Sequence, residues 1–168
     1  GEKIGNFSLS SGGGGYTDVM LNDGTISRDI LPFSNGIIVW KDNAIYKFGF
    51  TAAGQVALEE ITRSFGGIAY RGAVHVENDV IFPALKDGRL EIFSLGNQEG
   101  YMSSVLRTNE LSIKIASNLR DINPAMLNFA CATYFNNRYV CSVPRRGSLV
   151  NDRHWVVDTR FGAWTYEE

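Results

Sequence analysis

Ala132-Thr133-Tyr134-Phe135-Asn136-Asn137-Arg138-Tyr139-Val140-Cys141 is an apolar-aromatic run, an Asn-Asn pair and a second apolar run. Asn tolerates positive φ, which two-residue hairpin turns of types I′ and II′ require, so the stretch reads as a β-hairpin with Asn137 at its tip. Downstream, the polar loop Pro144-Arg145-Arg146-Gly147-Ser148 leads to His154-Trp155-Val156-Val157-Asp158, then to the turn Arg160-Phe161-Gly162 and to Ala163-Trp164-Thr165-Tyr166. The order is strand, turn, strand, loop, strand, turn, strand. Four antiparallel strands in a meander are the unit of a β-propeller blade.

The hairpin has two counterparts upstream. Ile37-Ile38-Val39-Trp40-Lys41-Asp42-Asn43-Ala44-Ile45-Tyr46-Lys47-Phe48 and Ala73-Val74-His75-Val76-Glu77-Asn78-Asp79-Val80-Ile81-Phe82 align with it when Asn43, Asn78 and Asn137 are superposed. After the second hairpin, the turn Lys86-Asp87-Gly88-Arg89 leads into the alternating strand Leu90-Glu91-Ile92-Phe93-Ser94-Leu95. Between the second and third units, Leu111, Ile115, Leu119 and Ile122 recur at intervals of about four, which predicts one short amphipathic helix ended by Asn123-Pro124. The tract Ser10-Ser11-Gly12-Gly13-Gly14-Gly15 reads as a flexible loop, with no Gly-Lys-Ser/Thr after it to make a phosphate loop.

The expected fold class is therefore all-β, with antiparallel meander blades of a β-propeller and one connecting helix. Three hairpins are too few to close a ring of four to eight blades, so the propeller is expected to be incomplete or part of a larger one. The expected division is an N-terminal segment with a Gly-rich loop over residues 1–30 and propeller-type blades over 31–168. Trp40, Tyr46, Phe82, Tyr139, Trp155 and Trp164 are the aromatic side chains expected to pack in and between blades. Asn43, Asn78, Asn137 and Gly162 are the expected turn residues.

Composition narrows the function classes. The 18 acidic and 16 basic residues nearly cancel, so no basic field exists to hold a polyanion, and nucleic acid is not expected as a direct ligand. The longest apolar runs are far shorter than the roughly 20 residues of a membrane helix, and Gly1-Glu2-Lys3-Ile4 lacks a signal-peptide pattern. The chain reads as soluble and unsecreted. Because its first residue is not Met and it stops on a strand-like end, it is also expected to be a segment of a longer polypeptide.

Catalytic and metal chemistry find little to use. With a two-residue turn at Asn136-Asn137, Cys141 pairs with Ala132 and Cys131 with Ser142, so the two thiols point to opposite faces and are expected to be free and buried. Metal binding would need more Cys or His at suitable spacing. His75 and His154 lie in expected strands without a nucleophile elbow or Cys-His signature, and the Asp residues sit mainly at turns, where they bond their own backbone. The expectation is a non-enzyme with no catalytic, metal-binding or cofactor-binding residues.

The stretch from Asn151 to Thr165, with an apolar strand, Asp158, a short turn and Trp164 after a strand ending in Val143-Pro144, resembles the blade ending of tailed-bacteriophage neck and tail propeller proteins, including the packaged-DNA stabilisation group. Ile38-Val39-Trp40 with Ala44 to Gly49, Ile61 to Ala69 with Asp79 to Phe82, and Leu111 to Ile115 extend the resemblance over Phe33 to Trp164. The usual Cys is replaced by Gly67-Ile68, which leaves the subfamily open. The resemblance implies a virion structural protein, assembled in the host cytoplasm, that acts in neck or tail assembly as a homo-oligomer among other virion proteins. Arg145 and Arg146 are then candidate interface residues. The alternative is a propeller that binds a glycan or host receptor, with a glycosidase third.

Overall fold

β-branched and aromatic residues favour half-buried pleated strands, and wherever the sequence concentrates them a strand forms. A computed structural model describes residues 25–50, 54, 56–99 and 104–167; the Gly-rich tract 10–15 lies outside them. The strands are β1 (Ser27–Phe33), β2 (Gly36–Lys41), β3 (Ile45–Phe50), β4 (Val56–Thr62), β5 (Val74–Val76), β6 (Asp79–Lys86), β7 (Arg89–Glu99), β8 (Ser104–Glu110), β9 (Cys131–Phe135), β10 (Arg138–Val143), β11 (Arg153–Asp158) and β12 (Ala163–Glu167). They form three four-stranded antiparallel sheets, β1 to β4, β5 to β8 and β9 to β12, each a meander in which consecutive strands are neighbours. We call these the first, second and third sheets.

The second sheet is buried on both faces. From β6 and β7, Val80, Phe82, Ala84, Phe93 and Leu95 join Ile38, Trp40, Ile45 and Phe65 in the core shared with the first sheet. Ile81, Leu90 and Ile92, from the opposite face, join Tyr139, Cys141, Val143, Trp155 and Val157 in the core shared with the third. Alternate side chains of one strand thus serve two cores, which explains the nearly continuous apolar run of β6. The first strands of the sheets also lie together. Asp29 of β1 accepts from the Ala73 amide at 3.1 Å, Phe33 meets His75 with ring centroids 6.0 Å apart, and the Ala132 amide of β9 donates to the Arg71 carbonyl at 3.0 Å.

The seam between the first and second sheets is aromatic. Trp40 and Phe82 have centroids 5.6 Å apart, and Phe65 stacks on Phe93 at 4.1 Å. The chain crossing between these sheets runs so close to β2 that Gly67 donates to the Lys41 carbonyl at 2.9 Å, and a Cβ on Gly66 would lie 1.8 Å from that same oxygen. Glycine is required there by proximity of backbone rather than by dihedral freedom.

The structure corrects several expectations. The single helix after Leu111 is instead three short 3-10 helices, Ser112–Ile115, Asn118–Arg120 and Pro124–Phe129. Their apolar face is the expected one, with Ile115, Leu119 and Ile122 buried. A regular helix is prevented because the segment is pinned to the edge of β7, where Leu111 donates to the Ile92 carbonyl at 2.8 Å and Ser112 Oγ accepts from the Ile92 amide at 2.9 Å. Asn123-Pro124 opens the third 3-10 helix rather than ending the segment, Asn123 Oδ1 accepting from Ala125 at 3.2 Å.

The alignment of hairpins shifts as well. Residues 37–48 are the second and third strands of their sheet, whereas the other two hairpins are the first and second strands of theirs. The residue equivalent to Asn78 and Asn137 is therefore Asn35, at the β1–β2 turn, and not Asn43. Ser34 and Asn35 both take positive φ, as do Asn136 and Asn137, while at the β5–β6 turn it is Glu77, not Asn78, that does so. Asp42 and Asn43 connect β2 to β3 without positive φ at either residue. β1 crosses the expected boundary at residue 30, and β7 runs on past Leu95 to Glu99.

Two outcomes follow from the first seam. Gly66→Ala is expected to lower stability by about 1–3 kcal/mol through overpacking, whereas Gly49→Ala, with nothing within 4 Å of the added Cβ, should change it little; urea unfolding of both checks the contrast. Burial raises the Asp29 carboxyl above its ordinary range, partly offset by the amides of Ala73 and Ile30. The folded state thus keeps this proton to higher pH than the unfolded chain, and the stability it contributes at low pH is lost as pH rises through the folded value. Asp29→Asn should flatten that part of the stability profile, and an unchanged profile would refute the assignment.

Candidate functional site

The second seam is built differently from the first, and hollows remain at both its ends. Ile115, Leu119, Ile122 and Leu127 of the 3-10 segment pack into the core between the second and third sheets. At one end, the β5–β6 turn brings Glu77 and Asn78, β6 begins with Asp79, β8 ends with Glu110, Lys114 comes from the 3-10 segment and Trp164 from β12. Together with Val76, Ile81, Leu111 and Val157 they line a cleft of about 450 Å³. Three carboxylates against one ammonium rim an apolar and aromatic floor.

Local geometry fixes this rim. The Asp79 carboxylate lies against Gly96, where an added Cβ would come within 2.3 Å of its Oδ1. Partial burial, and then the neighbouring Glu77, hold the Asp79 carboxyl above its ordinary value. The Tyr134 hydroxyl lies 3.5 Å from Glu77 Oε1 and 3.4 Å from Thr159 Oγ1, and the Thr159 amide donates to the Asn137 carbonyl at 2.9 Å. The β9–β10 and β11–β12 turns are thereby tied together beside the cleft. Gly162, at φ 60°, closes the second of these turns and lines the cleft next to the exposed Phe161.

The opposite end of the seam has the opposite charge. Arg89, Arg120 and Arg146 border a hollow of about 390 Å³ floored by Leu90, Leu119 and Ile122. Arg145, the other candidate interface residue, is turned into its own loop. Its amide donates to Asp152 Oδ1 at 2.8 Å and its Nε to Oδ2 at 3.2 Å. These contacts, the backbone donor first, hold the Asp152 carboxyl below its ordinary value.

Of the aromatic residues singled out in the sequence, Trp40, Tyr46, Phe82, Tyr139 and Trp155 are buried, and Trp164 is half-buried on the cleft wall. His75 packs by Phe33, while His154 Nδ1 lies 2.7 Å from Ser142 Oγ on the outward face of the third sheet. That Ser-His contact has no carboxylate bonded to the other ring nitrogen among the described residues, and it lies on a sheet face rather than in a cleft. The cysteines take the register derived from the turn, Cys141 opposite Ala132 and Cys131 opposite Ser142, and both are free, but only Cys141 is buried; Cys131, expected to be buried too, is exposed because it stands on the outward face of the edge strand β9. Burial pushes the Cys141 thiol up to about 12, against a lowering by the Tyr139 hydroxyl. Among the described residues no cluster of His, Cys, Asp or Glu is gathered to hold a metal ion, and no helix is long and apolar enough to cross a membrane.

No family model matches this chain, and no curated protein matches it. What the geometry offers is a pair of oppositely charged hollows at the two ends of one seam. An acidic rim over an aromatic wall can hold a guanidinium or ammonium by charge-assisted hydrogen bonds and a cation–π contact. Glu77, Asp79, Glu110 and Lys114 were not singled out in the sequence. Charged residues flanking the Asn78 hairpin tip were the only signal, and it does not say which distant strand faces them.

A thiol reagent separates the two cysteines. In the native protein, a maleimide is expected to label Cys131 rapidly and Cys141 only after unfolding; intact-mass measurement showing two labels under native conditions would contradict the burial of Cys141.

Proposed function

We propose that this chain is a non-catalytic structural protein of a tailed-bacteriophage particle, acting in neck or tail assembly, with its three sheets as consecutive propeller-type blades. The observation that carries the reading is the stacking of three sequential four-stranded meanders around a middle sheet buried on both faces, with their first strands brought together. Blades of a propeller pack face to face in this manner and gather one edge strand each around an axis.

The outward face of the first sheet adds support. Cross-strand rows place Ile30 beside Val39 and Tyr46, and Ile37 beside Phe48 and Leu58; Val39 and Tyr46 are already buried, while Ile30, Ile37, Val56 and Leu58 are exposed. An apolar sheet face of this kind suits a further sheet, supplied by more chain or by another subunit. The sequence resemblance across Phe33 to Trp164 supplies the virion context, and the polar loops at both ends of the sheets supply surfaces for neighbouring subunits.

Mass spectrometry of purified particles, with gold-labelled antibody to locate the protein, tests the reading. The protein should be present at fixed stoichiometry and labelled at the neck or tail. Its absence from purified particles would overturn the proposal, and selective sugar binding on a glycan array would then favour a recognition module.

A further inference from the structure

The loop between β10 and β11 carries exposed apolar side chains on a fixed frame. Leu149 is 70% exposed and Val150 67%, and beside them stands Phe129 at 61%, tied in by Asn151 Nδ2 donating to the Phe129 carbonyl at 2.8 Å. The frame is held by Ser148 donating to the Arg145 carbonyl at 2.9 Å, Asn123 Nδ2 donating to the Ser148 carbonyl at 2.7 Å and the contacts between Arg145 and Asp152. Gly147, at φ 82°, permits the turn, and Arg146 is exposed next to it. A loop held this firmly spends little ordering entropy on association, so its apolar tip and cation are preorganised for a partner.

The partner surface is on the same molecule, facing the other way. β10 starts at the Asn136-Asn137 turn, which is bonded to Thr159 on the rim of the acidic cleft, and runs to Val143 at the base of the loop. β6 likewise runs from Asp79 in the cleft to Lys86 near the arginine-bordered end, about 23 Å away. The convex loop offers aliphatic side chains and a guanidinium. The concave cleft offers Leu111 and Trp164 below Glu77, Asp79 and Glu110. Apolar surface can meet apolar surface, and a guanidinium can meet a rim of three carboxylates and Lys114, but only between two molecules, because the two surfaces lie at opposite ends of the strands.

We propose that copies of this chain join end to end, the β10–β11 loop of one seated in the cleft between the second and third sheets of the next. Arg146 meets the carboxylate rim, and Leu149 and Val150 cover the apolar floor. Such an interface is heterologous, using different patches on the two partners, so each added copy leaves one free loop and one free cleft, and growth continues unless a rotation closes it into a ring. The inference rests on the two surfaces alone and holds whether or not the chain belongs to a virion.

Sedimentation velocity with three proteins tests it: the full chain, a loop variant carrying Arg146→Gln and Leu149→Asn, and a cleft variant carrying Glu77→Lys and Glu110→Lys. Circular dichroism and urea unfolding show that each variant is folded. The unmodified chain should grow with concentration through dimers to larger species, less so at high salt. Either variant alone should sediment as a monomer. Mixed in equal amounts, the two should form dimers and nothing larger, because one intact cleft and one intact loop remain to make a single junction. A monomeric unmodified chain at all concentrations, self-association that survives both pairs of substitutions, or a mixture that stays monomeric would each overturn the proposal.

Discussion

Burial of the second sheet on both faces is what the rest of the molecule has to accommodate. Val80, Phe82 and Ala84 leave β6 on one side and Ile81 on the other, and the adjacent strand repeats the pattern with Phe93 and Leu95 against Leu90 and Ile92. A sheet with two apolar faces is stable only between two others, so the first and third sheets cover it. Hydrogen bonding follows from the same constraint. Where β8 stops short, the exposed edge of β7 at Ile92 would bury an unpaired amide and carbonyl, and the chain leaving β8 supplies Ser112 Oγ and the Leu111 amide to satisfy them.

The two seams solve the packing problem in different ways. In the first, aromatic rings meet directly and the crossing chain is pressed against β2 at Gly66 and Gly67. In the second, the 3-10 segment brings Ile115, Leu119, Ile122 and Leu127 into the core between the sheets. The hollows at the ends of this seam are lined in part by the same segment, through Lys114 at one end and Ala116, Leu119 and Arg120 at the other. The clefts are thus a product of how the second seam is filled, and their opposite charges come from which turns border them.

Much of the fold was legible because strand signals are local. The alternating and apolar runs located β2, β3, β6, β7 and β9 to β12, and two-residue turn arithmetic gave the register of β9 against β10, down to the pairing of Cys141 with Ala132. What failed needed information from across the molecule. Asn43 looked like the counterpart of Asn78 and Asn137 because it follows an apolar run, but Lys41, next to that turn, gives its carbonyl to Gly67 of the crossing chain. The Asn35 turn, the true counterpart, begins one strand earlier, where β1 is mostly exposed and gives a weak apolar signal. The spacing of Leu111, Ile115, Leu119 and Ile122 reported the buried face correctly and misreported the helix type, since the pinning contact at Ile92 is long-range. The acidic cleft was invisible for the same reason: Glu77, Glu110 and Trp164 are far apart in sequence and meet only through the sheets.

The lateral faces and the strand ends of this stack differ in what they can join. The outward face of the first sheet is mostly apolar, with Ile30, Ile37 and Leu58 exposed and Glu60 in the row of Tyr46, while the outward face of the third mixes Val140 and Val156 with Thr133, Ser142, His154 and Thr165 in its cross-strand rows. Pressing one against the other would remove hydroxyl and imidazole groups from water against side chains that cannot bond them, a cost of about 1–3 kcal/mol for each group left unpaired. Closing the first sheet of one copy on the third sheet of another is therefore opposed by chemistry that the second sheet, apolar on both sides, does not meet. At the strand ends the chemistry differs, because a loop with a cation and an apolar tip faces a cleft with a mostly anionic rim and an apolar floor. Growth along the strand direction is the direction in which one copy of this chain complements the next.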